Sequence, residues 1–214
     1  MEKNLAYHRK SYDKSELESD ILTENPMLLF KKWFEEVEKT DPSSENNAMT
    51  LSTIDENGFP HNRIVLLKRF NDEGFTFYTN YQSDKGKSIE KNPKVSISFF
   101  WPVMERQVII RGEAKKMDAA ASDEYFKTRP RGSQIGAWVS NQSSQIENRE
   151  VLEKRQKELE KEFEGKEISR PEFWGGYLII PQAIEFWQGR PNRLHDRFVY
   201  QKINGQWKTN RLAP

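Results

Sequence analysis

Apolar and polar positions alternate with a period of two through most of the chain, and with a helical period in a few bounded stretches. Residues 49–54 alternate and run into Asp55-Glu56-Asn57-Gly58, which predicts a strand and a reversal. Residues 62–70, Asn62 followed by RIVLLKRF, predict a second strand, and Asn71-Asp72-Glu73-Gly74 turns it into a third at 75–80. Strands at 94–100 and 106–114 flank a turn at Pro102, and further strands are expected at 174–181, 183–188, 194–202 and 206–211. A helical stripe of Phe30, Trp33, Phe34 and Val37 predicts a helix over 26–39, with Pro26 suited to its first turn. Shorter helices are expected at 83–91, at 118–128 with Asp118 as N-cap and Pro130 as its limit, and from Ser133 through Trp138. A charged helix is expected over 146–164, ended by Gly165 and carrying Glu150–Lys154 and Glu153–Lys157 pairs. Residues 1–20 have no apolar period and read as a flexible arm, which leaves 21–214 as a single domain. About eight antiparallel strands with peripheral helices predict a mainly β fold, a closed or nearly closed barrel without exposed strand edges.

Composition narrows the function. The 214 residues suit one large domain. Lys plus Arg is 34 against 33 Asp plus Glu, and a net charge of +1 argues against broad nucleic-acid binding. Local basic clusters in a neutral chain point to small anions instead. There is no cysteine, so thiolate chemistry is excluded, and the three histidines show no metal-ligand spacing. The first twenty residues lack the apolar run of a signal peptide, and a cytoplasmic protein is expected. No nucleophile-elbow or dinucleotide-loop pattern occurs, so an enzyme built from this chain needs an organic cofactor.

Five segments carry candidate chemistry. EFWQGRPNRLHDR (185–197) packs Trp187, Arg190, Arg193, His195 and Arg197 into thirteen residues. Guanidinium forks suit phosphate and stack on flat rings. RIVLLK (63–68) places Arg63, Val65 and Leu67 on one strand face, and Ile64, Leu66 and Lys68 on the other, which is expected to be the partly buried one. SDKGK (83–87) opens a helix whose free N–H groups, with Lys85 and Lys87, suit a phosphate; a plain Ser83 or Asp84 cap reads equally from the same residues. YFKTRPRGS (125–133) sets Tyr125 and Arg129 four apart and has Ser133 opening the next helix, which suits either a phosphate dianion or a helix corner with surface arginines. NQSS (141–144) and Gln107 offer amides and hydroxyls that read heterocycle edges, and such residues are also common in loops.

The segments RIVLLK, FYTN (77–80), ERQV (105–108), YF-x-x-RPR-x-SQIGAWVS-x-QSS (125–144), FWGG (173–176), IEFWQG (184–189), RLHDRF (193–198) and RLAP (211–214) together resemble the pyridoxine (pyridoxamine) 5′-phosphate oxidase family, from about Tyr12 to the end. The resemblance implies a split β-barrel, a homodimer and FMN held at the subunit interface. It implies FMN contacts from Arg63, Ile64, Val65, Leu66, Leu67, Lys68, Tyr78, Thr79, Lys85, Gln107, Gln142, Ser143, Trp187 and Arg197. It implies substrate contacts from Lys68, Tyr125, Arg129, Ser133, Arg193, Leu194 and His195, with the arm residues Arg9, Lys10, Ser11 and Tyr12 folding over the substrate, and Arg193 and His195 as the catalytic pair. The implied reaction oxidises either phosphorylated vitamer to pyridoxal 5′-phosphate with dioxygen as acceptor. One departure is Asp84, where many members carry a basic residue, and an acid there repels a flavin phosphate. The alternatives are a non-catalytic FMN- or pyridoxal-phosphate-binding barrel, and a split-barrel reductase using another flavin-like cofactor.

Overall fold

The computed structural model describes residues 3–214, and the mainly β expectation holds. Helix α1 (Pro26–Thr40) is followed by strands β1 (Ala48–Ile54), β2 (Pro60–Leu66), β3 (Arg69–Asn71) and β4 (Gly74–Asn80), then α2 (Asp84–Lys91), β5 (Lys94–Trp101) and β6 (Arg106–Lys116). Helices α3 (Ala119–Thr128), α4 (Arg131–Val139) and α5 (Arg149–Glu162) precede β7 (Trp174–Gln188), β8 (Asp196–Ile203) and β9 (Gln206–Leu212). The strands form one sheet in the order β2-β1-β5-β6-β7-β4-β3, with β8 on β7 and β9 on β8. β2 and β3 stand at opposite ends of that order yet are separated by only Leu67 and Lys68, so the sheet curls back on itself as a half-barrel.

That curl corrects the single strand expected over 62–70. The chain leaves β1 after Leu66 and rejoins the sheet against β4, where Arg69 faces Thr76 and the Lys68 amide donates to the Thr76 carbonyl at 2.8 Å. Arg63 and Val65 of β2 are half-buried and Leu67 in the break is buried, whereas Lys68, also in the break, is exposed, opposite to expectation. Conversely, the strands expected at 174–181 and 183–188 are one. β7 pairs with β4 as far as Ile179 and with β8 from Ala183, so Pro181 sits at the changeover between partners, where on that side no ladder N–H is needed. α4 begins at Arg131, directly after Pro130, whose ring fixes a helical φ of −52°. Ser133 therefore does not open the helix; its N–H is already donated to the Pro130 carbonyl at 2.8 Å. α5 starts at Arg149 behind an Asn148 cap, and Glu153 pairs with Arg149 one turn earlier, in place of the expected Lys157.

By internal contacts the chain forms two compact units. One comprises the chain up to Met49, Ile97–Arg111 and Pro181–Pro214; the other comprises Thr50–Ser96 and Gly112–Ile180. The core of the first is aromatic. Phe30 of α1 meets Phe99 at 5.3 Å, and Trp33 stands edge-on to Phe186 at 5.2 Å, which in turn meets Tyr200. Arg106 lies over Trp33 and pairs with Glu36 and Gln188, so this buried guanidinium is satisfied. The second unit seats α3, α4 and α5 on Phe126, Ile135, Leu159, Ile168 and Trp174. Burying each such side chain contributes about 1.5–3 kcal/mol, which is why a chain only 35% hydrophobic folds around a few large residues.

Candidate active site

The second unit holds a cavity of about 730 Å³, within the usual size range of small-molecule sites, about 300–1,000 Å³. Eleven of its lining residues were expected from the sequence: Arg63, Ile64, Val65, Leu66, Lys68, Tyr78, Thr79, Lys85, Tyr125, Arg129 and Ser133. Gln142 is a twelfth. Leu67, expected as a contact, is buried and does not line the cavity. Ser143 does not line the cavity; it adopts a left-handed φ of 74°, and its Oγ accepts the Asp84 amide at 3.2 Å, so it caps the start of α2.

Arg63 reaches back across the strand pair, and its Nη1 donates to Thr53 Oγ1 at 2.7 Å, which leaves Nη2 buried without a hydrogen-bond partner. Lys85, only 8% exposed, stands at the first turn of α2. Its ammonium donates to Ser83 Oγ and to Gln142 Oε1, which also accepts the Thr79 hydroxyl. Burial, and then the neighbouring Arg63 charge, lower its pKa to about 8, with Asp84 pulling the other way. Asp84 itself is exposed, so its carboxylate faces solvent while its amide serves the Ser143 cap.

A stack of flat groups forms another part of the wall. Tyr78 and Tyr125 lie 3.8 Å apart and 14° from parallel, and both rings are nearly parallel to Trp174. Arg129 caps α3 and lies 4.4 Å over the Trp174 ring. Its Nη1 is buried and unpartnered, and burial lowers its pKa, with Tyr125 opposing. Among the described residues no carboxylate forms an ion pair with Arg63, Lys85 or Arg129. Three partly or wholly buried cations with two orphaned guanidinium nitrogens carry unmet anion-binding capacity, because leaving a buried charge unpaired is costly. That donor set fits phosphorylated ligands, FMN included. Asn80, Pro130, Gly136, Ala137, Ser140 and Trp174 also line the cavity and were not anticipated as site residues. FWGG marks Trp174 in the sequence, but as a strand start it gave no sign of its place beneath Arg129.

The first unit carries the remaining candidates. Two consecutive residues, Asn192 and Arg193, have positive φ (57° and 63°), a strained turn that holds the Arg193 side chain exposed beside Leu194. His195 Nδ1 accepts the Arg190 amide at 3.0 Å, so in the neutral ring Nε2 carries the proton and is a donor. Burial first, then Arg193, hold the His195 pKa below its ordinary value, with Asp196 opposing, which favours that neutral donor form. Trp187 packs on His195 at 4.6 Å. Arg197 is paired with Glu185 and donates to the Ala213 carbonyl, and Gln107 is half-buried on β6. In the arm, Tyr12 stands against Trp187, Lys10 pairs with Glu105, Arg9 donates to the Ala6 carbonyl, and Ser11 is exposed.

Residues 36–162 match the family model described as pyridoxamine 5′-phosphate oxidase, and residues 174–214 match the pyridoxine 5′-phosphate oxidase C-terminal dimerisation region. The chain belongs to the pyridoxine/pyridoxamine 5′-phosphate oxidase family. It is 55% identical to the oxidase of that name from Flavobacterium psychrophilum, over 99% of this chain and 100% of that protein, and 56% identical to the one from Flavobacterium johnsoniae, over 98% and 99%. Among solved structures it is similar to PhzG from Burkholderia lata, in complex with tetrahydrophenazine-1-carboxylic acid, with a TM-score of 0.88 and 27% identity over 96% of this chain and 100% of that one. A pyridoxamine 5′-phosphate oxidase-related, FMN-binding protein from Nostoc punctiforme shares the fold at a TM-score of 0.68 and 16% identity, over 86% and 97%. No helix among the described residues is long and apolar enough to cross a membrane, and none of their carboxylate, histidine and cysteine side chains group as a metal site.

Proposed function

We propose that this family member oxidises pyridoxine 5′-phosphate or pyridoxamine 5′-phosphate to pyridoxal 5′-phosphate, as a cytoplasmic homodimer with FMN at the subunit interface. The observation that carries the reading is the cavity whose Arg63 and Arg129 guanidiniums each keep a buried, unpartnered N–H donor. FMN, when bound, supplies a two-electron acceptor for the hydride leaving C4′, and dioxygen takes those electrons as hydrogen peroxide; the amine substrate also consumes water and releases ammonia.

The chain's own residues bind and orient. Arg63, Thr79, Lys85, Gln142 and the strand 63–68 would hold the cofactor, with Ser143 fixing the α2 terminus, and with Tyr78, Gln107, Trp187 and Arg197 as further contacts. Lys68, Tyr125, Arg129 and Ser133 would grip the substrate phosphate, which anchors the molecule far from the reacting carbon. Arg193 and His195 would face C4′, with Leu194 and the arm segment Arg9–Tyr12 closing over the ring. Since Nδ1 of His195 is occupied as an acceptor, its Nε2–H donates to the C4′ oxygen or nitrogen and orients it.

The test is direct. The purified protein should be yellow, and should form pyridoxal 5′-phosphate and peroxide in equal amounts from pyridoxine 5′-phosphate. A flavin-loaded protein that forms neither would be a binding protein, and the proposal would fall.

A further inference from the structure

One carboxylate of the first unit binds the arm. Glu105 lies in the turn between β5 and β6 with its side chain 1% exposed and a left-handed φ of 54°. Its Oε2 accepts the amides of Asp13 (2.9 Å) and Lys14 (3.1 Å), and its Oε1 lies 3.2 Å from Lys10 Nζ. Its backbone carbonyl accepts the Gly189 amide at 2.8 Å and Gln188 Nε2 at 3.3 Å. Burial raises its pKa, but the Lys14 amide, Lys10 and the Asp13 amide outweigh that and hold it below the usual carboxylate value.

Beside it, Gly189 makes room for Tyr12. A Cβ at Gly189 would lie 2.7–2.8 Å from Tyr12 Cδ2, Cβ and Cγ, closer than such atoms approach. Seated there, Tyr12 stands edge-on to Trp187 at 5.7 Å and 6.0 Å from His195. Residues 3–16 bury no apolar side chain, and the first deep apolar anchor is Leu17. Apart from the half-buried Tyr12, hydrophobic burial therefore does not order this stretch, and polar contacts have to offset its conformational entropy.

We propose that Glu105 is a positioning residue, a latch that seats residues 10–14 and thereby fixes Tyr12 against Gly189, Trp187 and His195 at the substrate's edge of the site. The proposal rests on the reading that Arg193 and His195 face the substrate. A carboxylate suits the task because Oε2 accepts both amides while Oε1, which has no other hydrogen-bond partner, lies within ion-pair distance of the Lys10 ammonium. A glutamine keeps the shape but turns an NH₂ toward Lys10 or toward the amides.

Glu105→Gln and Gly189→Ala attack the seat from opposite sides, so the test survives if one variant folds poorly. In FMN-loaded full-length protein, amide exchange across residues 7–14 should accelerate at least tenfold in both, with flavin content kept. The KM for pyridoxine 5′-phosphate should rise and kcat fall, each several-fold. In the double variant with Tyr12→Ala, Glu105→Gln should add little further loss, since both remove the same contact. Unchanged arm exchange in both variants would overturn the latch. Arm release without a kinetic change, or losses fully additive with Tyr12→Ala, would overturn the positioning role. The underlying site reading fails separately: His195→Asn with unaltered kinetics would remove it while leaving arm release in Glu105→Gln intact.

Discussion

At the scale of single residues, the site is defined by cations without counter-charges. Arg129→Ala removes one charge-assisted grip of about 1.5–3 kcal/mol, so KM for either substrate should rise roughly ten- to hundredfold with kcat little altered; steady-state kinetics giving wild-type KM would take Arg129 off the phosphate. Arg193→Leu should lower kcat/KM while flavin absorbance stays, and loss of flavin would make Arg193 a cofactor ligand instead. Lys85 gives a pH signature. Its pKa in the fold, about 8, lies below the ordinary 10.5. The unfolded chain therefore binds more protons between those values, and the stability of the cofactor-free protein should rise with pH across that window. Anion binding runs the opposite way, because the ligand needs the ammonium. Affinity for FMN, titrated by fluorescence quenching, should weaken as pH climbs through about 8, and Lys85→Met should flatten that slope. A slope retained in Lys85→Met would assign the titration elsewhere.

Among the elements, α2 carries the tightest constraint. A Cβ on Gly86 would lie 2.1 Å from the Tyr81 carbonyl oxygen, so only glycine lets the first turn pack on the end of β4 and set Lys85 into the cavity. Gly86→Ala should shift that turn, cost about 1–3 kcal/mol of stability and weaken FMN binding. A melting temperature and an FMN affinity equal to wild type would show that the turn moves freely. The strand elements do related work. The break at Leu67–Lys68 lets consecutive residues serve two different strand partners, and it is this break that puts Lys68 on the cavity rim.

For the whole molecule, the match of residues 174–214 to a dimerisation region bears on the cofactor. If FMN lies at a subunit interface, flavin should dissociate as the protein is diluted through its dimer dissociation. Fluorescence of released FMN should then track the mass measured by light scattering. A monomer that keeps its full flavin complement would contradict the shared site.

Much of the fold is legible in the sequence. The apolar stripe of Phe30, Trp33 and Val37, the Asp118 cap and most of the strands follow from local period and turn chemistry, which act within a few residues. RIVLLK, SDKGK and YFKTRPRGS each read equally as ordinary strand, cap or corner, yet the cavity gathers Arg63, Lys68, Lys85, Tyr125, Arg129 and Ser133 from them, whereas Arg193 and His195 belong to the first unit. What the chain did not reveal locally were features that depend on residues far apart in sequence. The changes of partner at Lys68 and Pro181 come from the curl of the sheet. The Trp174 seat under Arg129 and the Glu105 grip on Lys10–Lys14 join residues 45 and about 90 positions apart. Hydrophobic period and caps are local and can be read from a string. Which cation is left without a partner, and which carboxylate is buried against an arm, is decided only when distant segments are brought within hydrogen-bonding reach.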